Sequence, residues 1–208
     1  MLFLRDELAG LLDAVKSARR VETVASEFEG ALTNLVGRLW SGKLTQSAFD
    51  AAMRTLLQDY IRDSYIAGFM YGGGKEEDLE AEDEAFIQTA IKTQLVYVGQ
   101  FASDAFDARG NDAAKENIRS RILMWTASVR SVGDSGQASV DKNQVMVFRV
   151  RPGMRASDES CDRCQSLLGK KMKWRDIMKQ GLYVVPGNKE FECEGWLCVH
   201  GWYPVRRE

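Results

Sequence analysis

"CDRCQSLLGK" at residues 161–170 and "ECEGWLCVHGWYP" at residues 192–204 hold all four cysteines and the single histidine of a 208-residue chain. Cys161 and Cys164 form a C-x2-C knuckle, a spacing at which a tight turn brings two sulfurs to one side, close enough to share a tetrahedral ion. Cys193 and Cys198 form a looser C-x4-C pair. His200 follows two positions after Cys198, on the same side if that piece is extended. Twenty-eight residues separate the pairs, enough for a helix and a hairpin. Three thiolates plus either Cys198 or His200 complete four places. Four sulfurs use every cysteine and leave His200 as a neighbouring donor or a packed ring. Arg163, Lys170, Lys171 and Lys173 are near enough in sequence to offset the charge of four thiolates.

The compartment bears on this reading. "MLFLRDELAG" is apolar for four residues before Arg5, Asp6 and Glu7 intervene, too short and too charged for a signal peptide. No run approaches the roughly 18 apolar residues of a membrane span. The expectation is therefore a cytosolic protein with reduced thiols, whose clustered cysteines read as metal ligands before disulfides. A pair of disulfides is the competing reading. A redox C-x2-C lacks its βαβ setting, and a cysteine nucleophile would have only His200 as base. A closed four-thiolate Zn2+ site has no open coordination position, so it stabilises rather than catalyses.

Upstream of residue 141 the pattern is helical. Val24, Ala25, Phe28, Leu32, Leu35, Val36 and Leu39 recur at helical spacing from Val21. Thr45 is placed to cap the next helix, which carries Phe49, Met53, Leu57, Ile61 and Tyr65 and stops at Gly72–Gly74. Seven acids between Glu76 and Glu84 read first as a solvated helix start. A docking or metal surface is the alternative there. One helix is expected through Phe86, Ile91, Leu95, Val98, Ala102 and Phe106, and another through Ile118, Ile122, Trp125, Val129 and Val132. "SVGDSGQASVDKN" at residues 131–143 reads as a loop or hinge.

At "QVMVFRVRP" the period becomes two. Val145, Val147 and Arg149 alternate with Met146, Phe148 and Val150 in a strand of about six residues, ended by Pro152 and Gly153. A helix is expected at Trp174–Gln180 and short strands at Leu182–Val185 and Gly201–Val205. The fold class is therefore α+β: a mainly helical body at 1–141 and a small α/β zinc-binding module at 142–208. Charge divides at the same place. Residues 1–141 hold 15 Lys/Arg against 22 Asp/Glu, and residues 142–208 hold 13 against 8. About 60 residues of short elements are marginal alone, and a metal supplies the missing stability.

No phosphate-cradling loop is present, since "YGGGK" lacks the preceding strand and the Walker spacing. A single histidine excludes a paired-histidine zinc protease. The basic tail and its aromatics permit a nucleic-acid-binding zinc module as the alternative function.

The helical body, the strand, the knuckle and the closing "CEGWLCVHGWYPV" together resemble the minor head proteins of tailed bacteriophages, the head-morphogenesis proteins of the Mu-like type. Cys193, Gly195, Trp196, Cys198, His200, Trp202, Pro204 and Val205 fit that family's C-terminal signature. "WSGKLTQSAFDAAMRTLLQDYIRDSYIAGF" at residues 40–69 resembles its helical segment. Many members end in a Pro-rich knuckle where this chain has C-x4-C-x-H, so the ligand set rests on this chain's own residues. The resemblance implies a non-enzymatic virion protein, made in the host cytoplasm and present in several copies per particle. Its implied partners are the portal protein, the major capsid protein or both. Packaged DNA is a further implied partner, and no membrane is involved.

Overall fold

The computed structural model describes residues 2–150, 160–184, 188–195, 198 and 200–205, with side chains from Val21 onward and Pro204 excepted. Three long helices carry the body: α1 (Leu2–Trp40), α2 (Gln46–Tyr71) and α5 (Asp112–Ser139). Between the last two run α3 (Ala81–Leu95) and α4 (Val98–Asp107). The helical stripes become one core in which Phe28, Leu32, Phe49, Met53, Leu57, Ile61, Ile87 and Phe101 are fully buried. Each such side chain contributes about 1.5–3 kcal/mol by leaving water. Thr45 caps α2, its Oγ1 accepting from Ala48 N at 3.2 Å. Asn111 caps α5 in the same way, through Ala114 N at 3.1 Å.

Two expectations need correction. Residues 131–139 are not a loop, because α5 continues through them. Their small side chains serve close packing: a Cβ on Gly68 of α2 would lie 1.8 Å from Gly133 O, and one on Gly136 would lie 2.1 Å from Tyr65 O. The serines lose little by being helical, since Ser131, Ser135 and Ser139 donate to carbonyls three or four residues back. The second correction concerns residues 81–107. The chain breaks at Val96 and Tyr97, where Val96 stays 75% exposed, and α4 then buries Val98 and Phe101.

The C-terminal part is a three-stranded antiparallel sheet in the order β2-β1-β3, formed by β2 (Lys171–Lys173), β1 (Val145–Val150) and β3 (His200–Pro204). Two one-turn helices, α6 (Asp162–Leu167) and α7 (Trp174–Lys179), complete it. The fold class is thus α+β, as the change of period implied. The sequence pattern missed α6 and β2, which are too short to show a period. Residues 182–184 form no strand; Val185, Pro152, Gly153 and Trp196 lie outside the described residues. Met146, Phe148 and Trp202 face inward and join Cys164, Leu167, Trp174, Ile177 and Phe191 in a second hydrophobic cluster. Ala138 of α5 belongs to it, and Tyr183 reaches back to stack edge-on against Phe86 of α3 at 4.9 Å.

Candidate metal centre

The five residues singled out from the sequence do converge. Cys161 is the N-cap of α6 and Cys164 lies in its first turn, so one helical turn aligns both sulfurs. Cys193 enters from a turn in which Glu194 and Gly195 both take left-handed backbone angles, φ 47° and 70°. Glycine adopts this freely, while Glu194 is strained there. Cys198 faces Cys164 of the knuckle, and His200 begins β3.

The sulfurs of Cys161 and Cys193 are 3.6 Å apart, those of Cys164 and Cys198 3.4 Å, and Cys198 Sγ lies 3.8 Å from His200 Nδ1. Cys161, Cys164 and Cys193 form one triad of donor atoms within 4.8 Å of one another; Cys164, Cys198 and His200 form a second. Cys164 belongs to both. For a metal–sulfur distance of about 2.3 Å, a tetrahedron has edges of about 3.8 Å, close to the paired separations here. A disulfide needs about 2.05 Å, and all four cysteines are free thiols. This group can therefore hold a metal ion.

The surroundings suit a desolvated charge. Cys164 and His200 are each 1% exposed, and Cys161, Cys193 and Cys198 pack on the second hydrophobic cluster. Phe148 forms the wall, stacked on His200 at 5.7 Å and on Phe191 at 6.4 Å. The hydrogen bond from Cys164 holds the Cys198 thiol down to about 5 against the opposing effect of burial, with His200's backbone and ring assisting. The same bond and burial push Cys164 strongly upward. Burial pushes Cys193 up to about 11, opposed by the backbone N–H of Gly195.

Three supporting residues gave no sequence signal. Glu192 Oε2 accepts from the backbone N–H of Arg163 at 3.1 Å, joining the two cysteine segments. Backbone N–H groups, its own and that of Arg163, hold its carboxyl below the usual range, with the Cys161 thiol adding to them. Tyr97, at the α3–α4 break, donates its hydroxyl to Glu194 Oε2. Ninety-seven residues separate that pair, so only the fold brings it together. One expectation also changes. Lys171 and Lys173 sit opposite Val147 and Val145 on the outward face of the sheet, away from the inward His200, so they do not line the thiol cluster. Strand alternation dictates this.

No known protein family, curated protein or solved structure matches the chain. No helix among the described residues is long and apolar enough to cross a membrane.

Proposed function

We propose that this chain is a minor head protein of a tailed bacteriophage, a structural component that acts in head assembly beside the portal or major capsid protein. Its C-terminal module is fixed by a structural Zn2+. The observation that carries the reading is the closing segment Cys193–Val205. Cys193, Cys198 and His200 of that segment are members of the thiol cluster.

Zinc follows from the donor set. Soft thiolates in tetrahedral array select Zn2+ or iron–sulfur chemistry, and Zn2+ brings no redox reactivity to a scaffold. Cys161, Cys164, Cys193 and Cys198 would be the ligands. His200 then serves as a buried partner to the Cys198 sulfur, which its Nδ1 approaches to 3.8 Å. Four protein ligands leave no position for substrate, so the ion's contribution is to folding. The helical body supplies the contact surface for neighbouring shell proteins, and the module is a rigid end.

Co-expression of the chain with the portal and major capsid proteins of the same virus tests this reading. The chain should sediment with assembled heads in several copies per particle. A chain that stays soluble and separate while heads assemble normally without it would contradict the assignment.

A further inference from the structure

The outward face of the sheet is built differently from the inward one. Register places Val145, Val147 and Arg149 of β1 beside Lys173 and Lys171 of β2 and beside Gly201 and Tyr203 of β3. Arg149, Lys171 and Lys173 are exposed, and Val145 is 41% exposed. No residue of the three strands is acidic. Among the described residues, no carboxylate pairs with Arg149, Lys171 or Lys173. Asp134 and Asp141 border the cleft beside Tyr203.

Tyr203 does not stand up from this face. A Cβ on Gly201 would meet its Cε2 at 3.3 Å and its hydroxyl at 3.5 Å, so the ring lies across the glycine. The Arg149 guanidinium sits over that ring, 4.9 Å from its centroid. The result is a guanidinium–phenol pair with two lysines about 6.6 Å apart along the neighbouring strand.

We infer that this face binds single-stranded nucleic acid, with Lys171 and Lys173 on phosphates and a base stacked on the Arg149–Tyr203 pair. A basic surface with exposed planar groups is the recurring solution for that ligand, because every base offers a π-face. A duplex is read by an element that enters a groove, such as a helix or a two-stranded ribbon. An acidic peptide would use the lysines and leave the stacking pair without a role. This inference does not depend on the phage reading.

Fluorescence anisotropy of the full chain, metal-replete, with labelled oligo(dT) of about 20 nucleotides tests it. Two phosphate contacts predict a slope near −1.4 in log affinity against log salt, at about −0.7 each. K171Q/K173Q should bring the slope close to zero and weaken binding at least tenfold at low salt, roughly as counterion release predicts. Both lysines are exposed, so metal content and circular dichroism should not change. Tyr203→Leu should weaken binding about tenfold while leaving the slope unaltered. Three results would overturn the proposal: no binding at low salt, equal binding by K171Q/K173Q, or tighter binding to polyglutamate or to a duplex than to oligo(dT).

Discussion

Tyr97 of the helical body hydrogen-bonds the carboxylate of Glu194, the residue that follows Cys193 in the thiol cluster. The bond fastens a strained turn of the metal loop to the break between α3 and α4. Replacing Tyr97 with Phe removes the hydroxyl donor and keeps the ring. The variant should bind metal with unchanged stoichiometry and lose about 1 kcal/mol of stability, the value of an ordinary hydrogen bond. Urea melts with parallel metal analysis check both parts.

The α2–α5 contact tolerates no added atoms. Gly68→Ala would place a methyl group 1.8 Å from the Gly133 carbonyl oxygen, and Gly136→Ala would place one 2.1 Å from that of Tyr65. Backbone cannot rotate away as a side chain can. Each variant should lose about 2–3 kcal/mol or more by overpacking. Alanine at Gly37, where nothing lies within 4 Å, should instead stabilise by up to about 1 kcal/mol through helix propensity. Thermal melts of the three variants make the comparison.

Arg62 grips Glu84 with two bonds, 2.6 and 2.7 Å, and holds its carboxyl below the usual range. A lowered carboxylate value means stabilisation that is present at neutral pH and lost as pH falls through the folded-state value. Both side chains are about 40% exposed, so screening limits the effect to a few tenths of a kcal/mol. The difference in stability between the native chain and Arg62→Ala, followed from neutral pH downward, should shrink toward zero in acid.

Cys164 and His200 are equally buried but are assigned different work. Cys164 belongs to both donor triads, whereas His200 enters through the Cys198 sulfur. Cys164→Ser should abolish stoichiometric metal binding and unfold the C-terminal part. His200→Ala should keep one ion and weaken its affinity about 10- to 100-fold, as expected for an outer partner of a ligand. Competition with a zinc chelator measures both; equal losses would make His200 a ligand.

Local periodicity made much of this legible. The stripe from Phe28 to Leu39 and the alternation at Val145–Val150 each state a period, and the cap Thr45 stands where the chemistry of an exposed helix end needs it. The cysteine spacing announced which residues would meet. What stayed hidden depends on distance or on context. Gly133, Ser135 and Gly136 carry loop-forming propensities, and only the nearness of α2 turns their small size into a reason for helix. Helix α6 has six residues and β2 three, too few to show a period. Tyr97 and Glu194 are joined by the fold alone.

Metal content of the purified chain, with thiols counted before and after chelation, tests the central claim most directly. The account predicts one zinc ion per chain and four thiols that react only once the ion is removed. It further predicts loss of ordered structure in the C-terminal part while the helical body persists. A chain with no stoichiometric metal, four freely reactive thiols and an ordered sheet would contradict it.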